Sequence, residues 1–188
     1  FENYILCNGA AGFFNHQQVF KETLDQQALT TLIDVCQARG IDTAIVQLDQ
    51  SKRLSSFDLE KMQDAMTSFG STASELGELA HDDEVYQALA YYEKDCDPLF
   101  EGQHPAFNFV RWHEKCVDVI PANGSKARTL LALAERLGID RADIIGFGDG
   151  LNDREMLRES GIGVAMGNAS LLVQQEADLV TKDHNHDG

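Results

Sequence analysis

Between residues 144 and 153 the chain passes from Ile144-Ile145-Gly146-Phe147, apolar and short, straight into Gly148-Asp149-Gly150-Leu151-Asn152-Asp153. An apolar run of that length bounded by glycine reads as a buried strand, here over residues 143–147. The loop after it has two glycines, which let a backbone turn sharply and come close to a ligand. A helix over 152–159 follows, then a strand over 162–166, a helix over 170–177 and a strand over 178–181. Before the loop, residues 125–137 carry Leu130, Leu133, Ala134 and Leu137 on one helical stripe, ended by Gly138. Strands alternating with helices at this pitch imply right-handed βαβ units and a parallel sheet. In such a sheet ligands bind beyond the carboxyl ends of the strands. Asp149, two residues past the apolar run, falls on that rim.

The residue types there suit a hard cation. Asp149 and Asp153 are two carboxylates crowded with the amide of Asn152 on one loop, a set that fits Mg²⁺, which takes few protein oxygens and keeps several waters. A plainer reading makes Asp153 a helix cap and the glycines a turn, but it leaves Asp149 on the rim unexplained. Lys126 opens the helix that precedes this strand, after Asn123-Gly124-Ser125. A helix N-terminus offers free N–H groups to an anion, and a lysine adds a point charge. A single lysine is ordinarily just solvated; the acidic loop next along the βαβ frame makes this one a candidate.

The first two-thirds lacks the alternation. A strand over 4–7 closes on Asn8-Gly9, and a hairpin over 12–20 turns at Asn15-His16-Gln17. Helices are expected over 24–39, stopped by Gly40, over 56–69 with Ser56 as cap, and over 82–92 with an acidic first turn. Strands are expected over 43–48, 107–112 and 116–120, the last two around His113-Glu114-Lys115. Residues 70–79 are small and polar and carry no clear pattern. The expected architecture is therefore α/β in parts: a core strand and hinge over 1–10, an α/β unit with mainly antiparallel sheet over 11–114, and a parallel Rossmann-like part over 115–188.

Bulk properties exclude several functions. Hydrophobic residues are 43% of the chain, enough for a real core. Lys+Arg 15 against Asp+Glu 31 gives a net charge of −16, which repels a nucleic-acid backbone. An anionic substrate must then be held by local cations or a metal. Cys7, Cys36, Cys96 and Cys116 are scattered, with no Cys-x-x-Cys, which argues against a disulfide framework or zinc site and for the reducing cytoplasm. No apolar run approaches membrane-spanning length and no signal peptide opens the chain. The start at Phe1, running at once into Tyr4-Ile5-Leu6-Cys7, and the end on Asp187-Gly188 read as cuts through a longer protein. Oligomeric state is not encoded in any visible pattern.

Asn123-Gly124-Ser125-Lys126, then Ile144 through Leu157, then Gly161-Ile162-Gly163-Val164-Ala165-Met166-Gly167-Asn168-Ala169, then Ala177-Asp178-Leu179-Val180-Thr181 together resemble the C-terminal half of Cof-type haloacid dehalogenase-like (HAD) phosphatases. Asn8-Gly9-Ala10 resembles their hinge into an inserted α/β cap. The similarity is dense over 116–188 and most specific at 144–169. It implies a Mg²⁺-dependent phosphomonoester hydrolase acting on small phosphorylated metabolites such as sugar phosphates, through a phospho-aspartate intermediate. On the matching positions it implies that Lys126 binds phosphate and restrains the nucleophile, Asp149 ligates Mg²⁺, Asp153 supports the metal's hydration shell, and Asn152 reaches the substrate phosphate.

One departure is large. The family's nucleophile and general acid lie on an Asp-x-Asp-Gly-Thr strand end, followed by a Ser/Thr phosphate motif, and neither occurs here. The only Asp-x-Asp, Asp95-Cys96-Asp97, follows Tyr91-Tyr92-Glu93-Lys94 and precedes Pro98-Leu99, and reads as a helix-ending turn. The chain alone is expected to be catalytically inert. Two alternatives stand beside the hydrolase: a cation-pumping ATPase, whose similar loop would need membrane segments absent here, and a non-catalytic phosphate- and metal-binding module. The His184/His186 tail reads as a solvated loop. Phe13, Phe14, Phe20, Phe107 and Phe109 read as core, and Trp112 and His113 as strand-end packing that could face a substrate.

Overall fold

A computed structural model of the chain describes residues 1–68 and 70–188. Phe69, the expected last residue of the second helix, lies outside the described residues. In chain order the strands and helices are β1 (Tyr4–Leu6), β2 (Ala11–Phe14), β3 (Gln17–Lys21), α1 (Gln26–Gln37), β4 (Asp42–Val46), β5 (Ser51–Arg53), α2 (Leu59–Thr67), β6 (Gln87–Tyr91), β7 (Phe107–His113), β8 (Cys116–Pro121), α3 (Lys126–Leu137), β9 (Ile145–Gly148), α4 (Arg154–Glu159), β10 (Ile162–Ala165), α5 (Leu171–Gln174) and β11 (Leu179–Val180). They divide into two compact units, residues 1–21 with 124–188, and residues 22–123.

The second unit is built on an antiparallel sheet of order β5-β4-β6-β8-β7. Alternation along its strands sends side chains to two faces. Ile45, Ala88, Ala90, Val117 and Val119 meet Leu29, Leu32, Ile33 and Cys36 of α1 on one face. Ala44, Leu89, Tyr91 and Cys116 meet Met62, Ala65 and Met66 of α2 on the other. Asp25 caps α1 by accepting from Ala28 N–H. Asp58, rather than the expected Ser56, caps α2 by accepting from Lys61 N–H. The approach to α2 is pinned by buried Asp42, which accepts from Ser55 Oγ at 2.6 Å and from the N–H groups of Phe57 and Asp58 at 2.9 and 2.7 Å.

Three expectations are corrected here. The helix over 82–92 is instead a strand, β6, at the centre of the sheet. Its Gln-Ala-Leu-Ala core favours helix locally, but pairing with β4 on one side and β8 on the other outweighs that propensity. The boundary near 114–116 falls inside a hairpin: β8 pairs with β6 and β7, so residues 115–123 belong with the second unit. Residues 11–21, expected in the α/β unit, form β2 and β3 and pair back onto β1 in the first unit. A change in residue character along the chain marks Pro121, but it cannot report which strands exchange hydrogen bonds.

The first unit combines the antiparallel β1-β2-β3 sheet with a parallel sheet of order β11-β10-β9. The expected α/β alternation is present, with α3 capped by Ser125 and ended by Gly138 at φ +70°. Residues 151–153 form a 3-10 turn before α4, and α5 spans less than the expected 170–177. Leu157, Ala165, Ala169 and Val173 form the core between α4, β10 and α5. Among the described residues β9 pairs with β10 alone, and its Ile145 and Phe147 are 57% and 60% exposed. No described helix is long and apolar enough to cross a membrane, and all four cysteines are free.

Candidate active site

The site is assembled where β9 ends. Gly148 is the last residue of that strand, and a Cβ there would sit 2.4 Å from the Cβ of Asp153. Glycine therefore lets the strand end and the carboxylate approach closely. Asp153 is 6% exposed. Its Oδ1 accepts from Lys126 Nζ at 2.6 Å, and its Oδ2 accepts from the N–H groups of Asp149 and Gly150 at 3.1 and 2.9 Å. The carboxylate thus both folds the loop and sets the position of the lysine. Charge-assisted bonds of this kind are the strong ones.

Asp149, in contrast, is exposed on the rim. Its Oδ2 accepts from Asn168 Nδ2 at 3.1 Å, and Asn168 Oδ1 accepts from His184 N–H at 3.3 Å. Asn168 lies just beyond β10, the neighbouring parallel strand, so the two strand ends are tied across the rim. Ser125, the cap of α3, donates a short hydrogen bond to Glu155 of α4.

A second device comes from the end of β1. Cys7, Asn8 and Gly9 have φ of +51°, +55° and +97°, a run of left-handed residues of which only one is glycine. Such conformations cost energy and persist where the surroundings hold them. Here Gly9 O accepts from Thr129 Oγ1 at 2.5 Å, and Asn8 Oδ1 accepts from Asn152 Nδ2 at 2.9 Å. One turn therefore holds both the helix bearing Lys126 and the amide of Asn152. A Cβ on Gly9 would lie 2.6 Å from Ser125 O and 2.9 Å from Lys126 N. Gly9→Ala is expected to destabilise the chain by about 2–4 kcal/mol, from left-handed strain plus a backbone collision, read as a lowered urea midpoint at unchanged slope.

All four residues singled out in the sequence, Lys126, Asp149, Asn152 and Asp153, lie in this network. Asn8, Thr129 and Asn168 were not singled out. Asn8-Gly9 was visible as a turn, but the 144-residue separation from Asn152 hid its partner. Of the other tempting clusters, the His184/His186 tail touches this network through the His184 N–H on Asn168. Asp95-Cys96-Asp97 belongs to the second unit, in a 3-10 turn spanning Lys94–Leu99. It follows the strand β6 rather than ending a helix, which corrects the sequence reading. Asp97 there pairs with Arg111, whose guanidinium also donates to Tyr92 O and Glu114 O and lies 5.1 Å from the Tyr92 ring. His186 hydrogen-bonds Asp183 in the polar tail and holds that carboxyl below the usual range. Among the described residues no three or more His, Cys, Asp or Glu side chains gather as a metal cage.

The sequence pattern of the haloacid dehalogenase-like hydrolases matches residues 2–188. A Bacillus subtilis (strain 168) protein named "Putative phosphatase YkrA" is 32% identical over 187 residues, 99% of this chain and 72% of that one. A solved structure of a hypothetical protein from Geobacillus kaustophilus HTA426 superposes with a TM-score of 0.88 at 32% identity, covering 100% of this chain and 73% of the other. The HAD subclass IIB sugar phosphatase BT4131 superposes with a TM-score of 0.88 at 25% identity, over 100% of this chain and 72% of that one. The chain belongs to the haloacid dehalogenase-like hydrolase family. Within it, this is a chain of the Cof-type phosphatases.

Proposed function

We propose that this chain carries the metal- and phosphate-binding half of a Mg²⁺-dependent phosphomonoester hydrolase acting on small phosphorylated metabolites, sugar phosphates foremost. The observation that supports it most is the division of labour between the two carboxylates: Asp153 is buried and spent on Lys126 and the loop, while Asp149 stands exposed on the strand-end rim. One exposed carboxylate backed by a second fits a hard cation that keeps most of its waters. Asp149 would hold the ion directly, and Asp153 would orient the groups around it. Bound Mg²⁺ supplies positive charge against the phosphoryl oxygens.

The chain's own groups do the rest. Lys126, fixed by Asp153 at the first turn of α3, offers its ammonium and the helix N-terminus to the phosphate. Asn152, held through Asn8, presents an amide to the same anion. The phosphoryl group passes to an aspartate carboxylate outside these 188 residues, the ester oxygen leaves, and water then releases phosphate. Among the described residues β9 has a partner on one edge alone and exposes Ile145 and Phe147, which supports a further strand beside it as the bearer of that carboxylate. The free cysteines support a reducing compartment, the cytoplasm, as the place of action.

The test compares the 188-residue chain with one extended at its N-terminus, both assayed against a panel of phosphate esters with Mg²⁺. The shorter chain is expected to be inactive and the longer one active. An extended chain that binds phosphate without turnover would replace this reading by the non-catalytic binding module.

A further inference from the structure

Asn168 stands on the rim of the parallel sheet, in the turn that follows β10, and that turn is fastened on three sides. Met166 N–H donates to Gly148 O, the carbonyl just before Asp149, at 2.9 Å. Gly167 N–H donates to Lys182 O at 3.1 Å, and Gln174 Nε2 of α5 donates to Ala169 O at 2.9 Å. A Cβ on Gly167 would lie 2.8 Å from Lys182 C and from Asp183 N, so glycine at this position lets the chain after β11 lie against the turn.

The Asn168 side chain is matched to its two partners. Its Oδ1 accepts from His184 N–H at 3.3 Å, and its Nδ2 donates to Asp149 Oδ2 at 3.1 Å. A backbone N–H only donates and an ionised carboxylate only accepts, so the amide fits one way round. An aspartate at this position would repel Asp149, and an alanine would leave its carboxylate without the donor. The Asp149 backbone is fixed separately, its N–H donating to Asp153 Oδ2 at 3.1 Å. Backbone and side chain of one exposed residue are thus held by different neighbours.

A preference between ions follows from that side-chain bond. Ca²⁺ gathers roughly six to eight oxygens in flexible geometry and takes a carboxylate through one oxygen or both. Mg²⁺ is smaller, demands near-octahedral geometry and keeps several waters. On the reading of Asp149 as the ion's ligand, we propose that Asn168 is a positioning residue: by occupying Asp149 Oδ2 it keeps that carboxylate a one-oxygen ligand and biases the rim toward Mg²⁺ over Ca²⁺. With Oδ2 engaged, a cation meets Asp149 through Oδ1. The carboxylate, already held, has less rotational freedom to lose on binding. Outer hydrogen bonds to ligating groups change metal affinity about 10–100-fold, and an exposed one belongs at the low end.

The N-terminally extended enzyme, stripped of metal and without substrate, is titrated calorimetrically with Mg²⁺ and, separately, with Ca²⁺. Asn168→Ala is expected to weaken Mg²⁺ binding and to shift the ratio of the two dissociation constants toward Ca²⁺ by about tenfold. Thermal melts without metal confirm that the variant folds, as expected for an exposed side chain. A general loosening of the loop would weaken both ions alike, so the ratio separates positioning from a purely structural role. An unchanged ratio, or equal weakening of both ions, overturns the proposal. Asp149→Asn in the same titrations is expected to abolish binding of both ions. Mg²⁺ binding that survives it removes Asp149 from the site and overturns this role and the hydrolase reading's metal assignment together. Where Asp149→Asn abolishes binding and Asn168→Ala leaves the ratio alone, only the role of Asn168 falls.

Discussion

Asp149→Asn, introduced into the N-terminally extended enzyme, is expected to lower Mg²⁺-dependent kcat by a factor on the order of 10³ or more while leaving the fold intact. The fold survives because the Asp149 side chain is exposed and accepts from Asn168, an exposed amide, while its backbone N–H on Asp153 is untouched by the substitution. Turnover fails because the amide has the shape of the acid without its charge, and a hard divalent cation binds charged oxygen in preference. Steady-state rates across a Mg²⁺ titration, beside a thermal melt, separate the two effects. Near-normal turnover at ordinary Mg²⁺ would remove Asp149 from the site.

The second large effect is on stability and needs no activity at all. Asp153→Ala is expected to cost the 188-residue chain about 3 kcal/mol in urea unfolding. The substitution strands the Lys126 ammonium and the N–H groups of Asp149 and Gly150 together. Loss of one partner of a buried ion pair costs roughly 3–5 kcal/mol, and the 30% exposure of the Lys126 side chain puts this case at the lower end. Adding Lys126→Met to Asp153→Ala should return part of the loss, because the stranded charge is then gone. A double variant as unstable as the sum of the singles would show that Asp153 acts through the loop N–H groups and not through the lysine.

The two predictions differ because the two acids, four positions apart in sequence, occupy opposite environments. Their identity and spacing are legible as a hydrophilic loop after an apolar strand. Which of them faces inward is not, since that depends on the packing of α3 beside the loop and on Gly148 admitting Asp153 so closely. Asn8 shows the same limit more sharply. Its turn chemistry is local and readable, while its link to Asn152 joins residues that only the folded first unit brings together.

Errors in the fold reading have a common cause. The segment over 82–92 has helix-favouring residues, and the sheet claims its second half because two neighbouring strands offer hydrogen bonds along both edges of β6. The strand expected over 116–120 is present as β8 but belongs with the second unit, because pairing partners leave no mark on the strand itself. Where the expectation rested on period and punctuation, as in α1, α3 and the alternation after residue 124, the structure agrees.

The sequence alone determined the α/β class, the HAD family and the set of residues at the strand-end loop, because apolar period, glycine placement and a dense motif are properties of neighbours along the chain. Tertiary structure alone decided the inward and outward acids, the Cys7–Gly9 turn that holds Lys126 and Asn152 from a distance, and the place of β6 at the centre of the antiparallel sheet. Those depend on contacts between residues far apart in the chain, whose energies exist only once burial and strand pairing have brought them within bonding distance.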